Sequence, residues 1–205
     1  AGNSVGLKKH SMRLAINKSG QEGWLCEHMF VMAAVNEEKS RKTYFCGAYP
    51  SACGKTSTAM IPGELIVGDD IAYFRNIDGE FRAVNVESGM FGIIKDVNAK
   101  DDPVIFKNLM KDQEVIFSNV LMGPDGMPYW LGMGVEAPEL GRNHFGKWHR
   151  GVKDSDGNVV DIAHGNARYT MRLDYLDNID KEGFESKTGV MVEGILYGGR
   201  DSDTT

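Results

Sequence analysis

The sequence has few cysteines, no long apolar run and no excess of positive charge. Its three cysteines (Cys26, Cys46 and Cys53) are an odd number without the spacing of a zinc site, which predicts free thiols in a reducing compartment. No apolar run approaches the length that a membrane-spanning helix requires. The formal net charge of −6 argues against a general nucleic-acid-binding protein, because such proteins carry a basic face. What remains is the composition of a soluble globular protein that, at 205 residues, is long enough to bury a core.

Residues 47–60 have the chemistry of a phosphate-binding loop. An apolar run with strand character leads through small residues to Gly54, Lys55 and Thr56, where a helix could begin. Glycine lets the backbone approach an anion, the N–H groups of a helix start face that anion, Lys55 adds charge, and Thr56 offers a hydroxyl to a cation. The usual phosphate loop has glycine where this chain has Tyr49. The triplet alone therefore leaves an ordinary strand-to-helix turn as an equal alternative.

An acidic pair follows this loop and favours the phosphate interpretation. After a second strand-like run at 64–67 come Gly68, Asp69 and Asp70. Two carboxylates at the end of a strand beside a phosphate loop are where a metal-binding acidic pair is expected. The combination predicts binding of phosphate together with a divalent metal.

These residues also carry a family resemblance. Tyr-Pro-Ser-Ala-Cys-Gly-Lys-Thr at 49–56, followed by Gly-Asp-Asp-Ile-Ala at 68–72, resembles the nucleotide loop and metal signature of the GTP-dependent phosphoenolpyruvate carboxykinases. In that family the loop usually begins with Phe and has Asn after the Thr, whereas this chain has Tyr49 and Ser57. A cysteine within the loop separates the GTP-using family from its ATP-using relatives, and Cys53 is present.

Two segments near the start of the sequence extend the resemblance. The lysine pair within 6–9 and the Glu-His-Met at 27–29 are similar to the family's Gly-Lys-Lys and Glu-His-Met segments, although Leu7 intervenes before the lysines. The resemblance implies that Lys9, His28 and Asp70 hold a catalytic Mn²⁺. Composition alone favours a solvated loop with two surface lysines for 2–9, and a lone histidine is more often simply hydrogen-bonded.

The proposed ligand set makes a demand on Lys9. An ammonium has no lone pair, so Lys9 must be neutral to bind a cation, and the charge of the metal would lower its pKa. Mixed nitrogen and oxygen ligands suit Mn²⁺ better than Mg²⁺. Three protein ligands leave open positions for water and substrate oxygens, as catalysis requires.

A third segment contains residues that could bind an anion. Asn166 and Arg168 are two positions apart, so on a strand they would face the same side, and arginine binds carboxylate or phosphate through forked hydrogen bonds. The family's His-Pro-Asn-x-Arg segment, which this stretch resembles, implies contacts with substrate and the transferring phosphate. The resemblance assigns further roles as follows: substrate binding to Gly2, Asn3 and Ser51; nucleotide binding to Ala52, Cys53, Gly54, Lys55, Thr56, Ser57 and Arg200; additional metal contacts to Thr56 and Asp69; and catalytic roles to Lys9, Cys53, Lys55, Arg168 and Arg200.

The fold class predicted is α/β, with a mixed, twisted sheet and few helices around an atypical phosphate loop. Hydrophobic patterning predicts strands at 30–35, 43–46 and 190–197, and an Asp-Gly step predicts a hairpin between runs at 71–74 and 81–86. Weak alternation at 12–16 predicts another strand, and 17–23 is predicted to be a polar connection or the first turn of a helix that carries residues 24–29. Residues 136–157 are predicted to form a surface loop, and Phe91 is expected in the core.

The activity implied by the resemblance is the reversible conversion of oxaloacetate and GTP to phosphoenolpyruvate, GDP and CO₂ in the cytoplasm, with catalytic Mn²⁺ and with Mg²⁺ or Mn²⁺ on the nucleotide. No nucleic-acid or membrane partner is expected. The 205 residues match the central third of such an enzyme, without its N-terminal substrate domain, guanine pocket and lid. The isolated stretch is therefore expected to be inactive. Two alternatives stay open: an ATP- or pyrophosphate-using carboxykinase or other phosphate-loop kinase, and a non-catalytic metal- and nucleotide-binding fragment.

Overall fold

The computed structural model describes residues 4–38, 40–50 and 54–199. These residues belong to two compact units, one made of residues 1–90 and 176–205 and the other of residues 91–175. The elements in chain order are α1 (Ser4–Glu22), β1 (Leu25–Glu27), β2 (Phe30–Asn36), β3 (Arg41–Ala48), α2 (Lys55–Ala59), β4 (Leu65–Gly68), β5 (Ala72–Ile77), β6 (Glu80–Asn85), β7 (Gly89–Ile93), α3 (Pro103–Leu109), β8 (Val115–Ser118), β9 (Leu121–Met122), β10 (Pro128–Tyr129), β11 (Leu140–Asn143), β12 (Gly146–His149), β13 (Arg168–Arg172), a 3₁₀ turn (Leu173–Tyr175), α4 (Lys181–Glu185) and β14 (Val190–Tyr197). No helix in the described ranges is both long enough and apolar enough to cross a membrane.

The first unit is built on a mixed seven-stranded sheet, which confirms the predicted fold class. The strand order is β1-β5-β6-β14-β3-β2-β4. Strand β14 joins the two halves of this sheet, because its first residues pair antiparallel with β6 and its remaining residues pair parallel with β3. Met29, just before β2, and buried side chains of these strands form one hydrophobic cluster; the strand residues are Val31, Cys46, Val67, Ala72, Phe74, Ala83 and Val190.

The predicted strands of this sheet are observed, and so is the hairpin. Strands β5 and β6 pair from Ala72↔Asn85 to Ile77↔Glu80. Asp78 and Gly79 make the turn with φ angles of 54° and 87°. Positive φ at both central residues is the geometry of the tight hairpin turn that an Asp-Gly step favours.

The first helix corrects the prediction for the start of the chain. Residues 12–16 are not a strand and 4–9 are not a loop, because α1 spans Ser4–Glu22. The helix ends at Gly23, whose φ is 74°, and Trp24 N–H donates back to the Ser19 carbonyl over 3.1 Å. A glycine in the left-handed region is a common way to end a helix. Residues 25–27 form β1 and not the helix considered from the sequence.

A buried carboxylate connects α4 with the beginning of β3. Asp180 precedes α4 and accepts hydrogen bonds from Lys42 Nζ at 2.9 Å and from the Tyr44 hydroxyl at 2.8 Å. Its backbone N–H donates to the Ile66 carbonyl at 2.8 Å. One residue therefore ties α4 to two neighbouring parts of the sheet.

The second unit contains two small sheets with the strand orders β10-β9-β11-β12 and β7-β13-β8. Its core includes Trp130, whose indole N–H donates to the Val97 carbonyl at 2.8 Å and whose ring lies near Phe106 and Phe117. The surface-loop prediction for 136–157 is wrong in part, because β11 and β12 form an antiparallel hairpin there. This hairpin buries Trp148 while its other residues are mostly polar, so its sequence shows little alternation.

Candidate metal and phosphate site

Three side chains predicted to share a cation meet in the first unit. Lys9 Nζ lies 3.1 Å from His28 Nε2 and 4.0 Å from Asp70 Oδ2. His28 Nε2 also contacts Asp70 Oδ1. Two donors at right angles on an octahedral ion with bonds of about 2.1 Å lie about 3 Å apart, so the spacing suits common coordination of one ion.

The secondary structure explains why residues so distant in sequence converge. Lys9 belongs to α1, which packs on the sheet through Ala15, in contact with Cys26 and Ile71. Glu27 of β1 pairs with Ala72 of β5. His28 directly follows Glu27, and Asp70 lies two positions before Ala72. The pairing of β1 with β5 therefore brings the imidazole and the carboxylate together beneath the helix.

The charges around the cluster act on Lys9 and Asp70 in opposite directions. Burial lowers the pKa of Lys9, and the positive charges of Lys8 and Lys55 lower it further against the opposing pull of Asp70. Burial also opposes ionisation of Asp70, but the hydrogen bond from His28 and the charges of Lys55 and Lys8 outweigh it and hold the Asp70 pKa well below its ordinary value. The surroundings therefore shift Lys9 towards the neutral amine and Asp70 towards the ionised carboxylate.

The amine is essential to this candidate set. Across residues 4–38, 40–50 and 54–199, no group of three or more His, Cys, Asp and Glu side chains is arranged to hold a metal ion. A cation at this position would therefore be held by one imidazole, one carboxylate and the lysine nitrogen. This donor set combines nitrogen and oxygen, as expected for a transition metal and not for Mg²⁺.

The phosphate loop ends beside this cluster. Gly54 precedes α2 with a φ of 83°, a left-handed conformation that favours glycine. Lys55 Nζ donates to the Asp69 carbonyl at 2.9 Å and contacts Asp70 Oδ1, while the Thr56 hydroxyl donates to Asp69 Oδ1 at 3.1 Å. A lysine, a hydroxyl and two carboxylates thus occupy one small region. Helix α2 has only five residues, so the side chains of Lys55 and Thr56 are the main phosphate- and cation-binding features that the structure describes here.

The sequence interpretation missed the part played by Lys8 and Glu87. Lys8 is not a surface lysine: only 17% of its side chain is exposed, and its ammonium lies 2.5 Å from Asp70 Oδ2 and 2.7 Å from Glu87 Oε1. Burial alone would lower the pKa of Lys8, but the carboxylates of Glu87 and Asp70 raise it above its ordinary value. The one available signal was the presence of a second lysine beside Lys9, which did not identify a partner.

Asn166 and Arg168, the predicted anion-binding pair, lie in the second unit, but they are not both on one strand. Arg168 opens β13, whereas Asn166 lies in the preceding turn and not on the strand. The side chains nevertheless meet, because Arg168 Nε donates to Asn166 Oδ1 at 3.0 Å. Phe91 is half-buried, not core as expected, and its ring centroid lies 4.9 Å from the Arg168 guanidinium carbon. The residue before Phe91, Met90, is buried instead.

Several predicted site residues lie outside the described residues. These are Gly2, Asn3, Ser51, Ala52, Cys53 and Arg200. Strand β14 ends beside the beginning of the loop, since Tyr197 pairs with Ala48 and Gly198 N–H donates to the Ala48 carbonyl at 3.0 Å. The two cysteines within the described residues, Cys26 and Cys46, are buried free thiols, as predicted for them.

The arrangement of Lys55, Thr56 and Asp69 at the start of α2 is typical of phosphate-loop nucleotide-binding domains. A family model described as "Phosphoenolpyruvate carboxykinase C-terminal P-loop domain" matches residues 24–205. The chain belongs to the GTP-dependent phosphoenolpyruvate carboxykinase family, which confirms the resemblance found in its sequence.

Similar proteins in archaea and in an animal carry the name of that family. The chain is 58% identical over 203 residues to phosphoenolpyruvate carboxykinase [GTP] of Pyrococcus abyssi, a match that covers 99% of this chain and 32% of that relative. It is 55% identical over 203 residues to the protein of the same name from Thermococcus kodakarensis, with the same coverage. It is 37% identical over 207 residues to the cytosolic form of Bos taurus, covering 97% of this chain and 32% of the bovine protein. The chain thus spans about a third of the length of these relatives.

Proposed function

We propose that this chain forms the metal- and phosphate-binding part of a carboxykinase. The reaction is the reversible conversion of oxaloacetate and GTP to phosphoenolpyruvate, GDP and CO₂. The observation that carries the proposal is the meeting of Lys9, His28 and Asp70 beside the Lys55 and Thr56 side chains. The names of the relatives support GTP over ATP or pyrophosphate, and the bovine relative's name supports the cytoplasm.

Lys9, His28 and Asp70 would hold Mn²⁺. The 3.1 Å spacing of the two nitrogens and the lowered pKa of Lys9 support this assignment. A divalent ion bound there would supply positive charge to the enolate oxygen that loss of CO₂ generates. Lys9, His28 and Asp70 already lie together, so these three side chains would hold that charge without first moving towards one another.

Lys55 would change partners during the reaction. Its ammonium now contacts Asp70 and the Asp69 carbonyl. When nucleotide binds, the Lys55 ammonium would turn from Asp70 towards the negatively charged transferring phosphate. Thr56 and Asp69, linked by a hydrogen bond of 3.1 Å, would hold Mg²⁺ or Mn²⁺ on the nucleotide through oxygen ligands.

Arg168 would stabilise the charge of the transferring phosphate, and Asn166 would bind the substrate. Their hydrogen bond and the Phe91 ring support a fixed guanidinium orientation within the second unit. The remaining residues keep the roles that the family resemblance gives them. Nucleotide binding is assigned to Ala52, Cys53, Ser57 and Arg200, and substrate binding is assigned to Gly2, Asn3 and Ser51. Cys53 remains proposed as a reactive loop thiol.

The metal site is tested by titrating the 205-residue chain with Mn²⁺ and following the free ion by electron paramagnetic resonance. We expect His28→Ala to weaken Mn²⁺ binding about tenfold or more, since even partners of metal ligands typically affect affinity by 10–100-fold. His10→Ala, an exposed histidine on the same unit, is the matched control and should leave the affinity unchanged. Equal Mn²⁺ binding by the wild type and His28→Ala would contradict the proposed site. In the same samples we expect oxaloacetate decarboxylation with GTP to be undetectable, since the chain spans about a third of the length of its relatives.

A further inference from the structure

We infer that Glu87 is a positioning residue for the metal site: acting through Lys8, it fixes Asp70 so that one carboxylate oxygen stays directed at His28. This role rests on the metal site proposed above. Glu87 reaches Asp70 through the Lys8 ammonium, which lies 2.7 Å from Glu87 Oε1 and 2.5 Å from Asp70 Oδ2.

The two oxygens of Asp70 have different partners. Oδ1 contacts His28 Nε2 and Lys55 Nζ, whereas Oδ2 lies against Lys8 Nζ. A terminal carboxylate turns easily about its last side-chain bond. An ammonium held on one oxygen restricts that rotation and leaves the other oxygen directed at the imidazole.

Glu87 is in turn held at both its side chain and its backbone. Its Oε2 accepts the backbone N–H of Ile71 at 2.9 Å, and its carbonyl accepts the side-chain amide of Asn85 at 2.6 Å. Asn85 lies close to Gly68, where an added Cβ would come within 2.5 Å of its Oδ1. Ile71 directly follows Asp70. Glu87 therefore grips the Asp70 segment twice, once through the next residue's backbone and once through Lys8.

Charge explains why a second carboxylate is needed. Within the cluster, Lys8 and Lys55 both contact Asp70, and only 11% of the Asp70 side chain is exposed. A divalent cation arriving at Oδ1 would repel the Lys8 ammonium from the neighbouring oxygen. The negative charge of Glu87 offsets this repulsion, so Lys8 can remain on Oδ2 while the cation binds. If Glu87 served only to hold the backbone, its hydrogen bond from Ile71 N–H would be sufficient and its charge would not matter.

The test compares two Glu→Gln variants of the 205-residue chain. In Glu87→Gln the amide oxygen can still accept the Ile71 N–H, but the charge facing Lys8 is lost. In Glu64→Gln the same exchange is made where Glu64 Oε2 accepts the backbone N–H of Val35 at 2.6 Å. We expect Glu87→Gln to weaken Mn²⁺ binding about tenfold, in the range typical for partners of metal ligands, and Glu64→Gln to change it less than about twofold.

A double-mutant cycle shows whether Glu87 acts through Lys8. Once Lys8→Gln is present, adding Glu87→Gln should have little further effect on Mn²⁺ affinity, because the ammonium that links Glu87 to Asp70 is gone. Circular dichroism at the titration temperature verifies that each variant is folded. Unchanged Mn²⁺ affinity in folded Glu87→Gln, or equal losses in Glu87→Gln and Glu64→Gln, or fully additive effects in the cycle, would each overturn the positioning role. If the wild type binds Mn²⁺ and His28→Ala does not, such results leave the metal site itself standing.

Discussion

Replacing Asp180 by alanine should destabilise the attachment of α4 to β3 by about 2–3 kcal/mol. The side chain of Asp180 is only 2% exposed and accepts hydrogen bonds from Tyr44 and Lys42. Alanine keeps the backbone hydrogen bond from Asp180 N–H to the Ile66 carbonyl, so the change isolates the side-chain contribution.

The magnitude follows from the two lost contacts. A hydrogen bond to a charged group contributes about 1.5–3 kcal/mol, which applies to the Tyr44 hydroxyl. The side chain of Lys42 is 35% exposed, so solvent screens its ion pair, which contributes less than about 1 kcal/mol. The two contributions add to about 1.5–4 kcal/mol, and the middle of that range, about 2–3 kcal/mol, lies at or below the lower end of the roughly 3–5 kcal/mol typical of breaking a fully buried ion pair.

Hydrogen–deuterium exchange measures this loss locally. Because every 1.4 kcal/mol is a factor of ten, β3 amides should exchange about 30- to 150-fold faster in Asp180→Ala. Two matched variants separate the contributions of the two contacts. Tyr44→Phe should show most of the increase in exchange rate seen in Asp180→Ala, and Lys42→Met should show little of it. Exchange in Asp180→Ala within about threefold of the wild type, or a larger effect from Lys42→Met than from Tyr44→Phe, would refute the reasoning.

Two further predictions concern positions around the loop. Gly47→Ala should lower the free energy of unfolding by about 1–3 kcal/mol in urea titrations, because its Cβ would lie 2.2 Å from the fully buried Phe30 ring. Asp69→Asn should raise the stability of the metal-free chain by about 0.5–2 kcal/mol at neutral pH. Burial raises the pKa of Asp69 in the folded state. The wild type therefore loses stability as the pH rises from the ordinary carboxyl pKa of about 4 through the raised pKa of the folded state, whereas the Asp69→Asn variant has no carboxyl group to ionise at this position and keeps its stability. Stability curves for Asp69→Asn and the wild type that stay parallel between pH 4 and 7 would contradict this.

Local patterns predicted much of the sheet. Strands β2, β3 and β14 consist largely of apolar and β-branched residues, and Asp78-Gly79 is a specific turn signal. Helix α1 was missed because its apolar residues do not define one buried face: Leu14 and Ile16 are exposed while Ala15 between them is buried. Short-range periodicity therefore could not distinguish it from a weak strand.

The candidate site, too, could be predicted from the sequence only in part. The proximity of Lys9, His28 and Asp70 could be predicted because the family resemblance supplied their spacing along the chain. The ion pairs of Lys8 with Asp70 and Glu87 could not, since they join residues far apart in sequence and any acidic residue could have served. The turn at Asn166 was missed because two residues on one face of a strand and two residues across a turn can place their side chains equally close.

The place of β14 in the sheet has a consequence for biosynthesis. About a hundred residues separate the end of β6 from the start of β14, and the strand that joins the two halves of the sheet is made last. About 140 residues separate the end of β3 from the start of β14, so at a translation rate of about 5–20 residues per second the nascent β3 edge would wait roughly 7–28 seconds for its parallel neighbour. An unpaired edge of this kind attracts other strands, so ribosome-bound intermediates should depend on chaperones until Val190–Tyr197 has emerged.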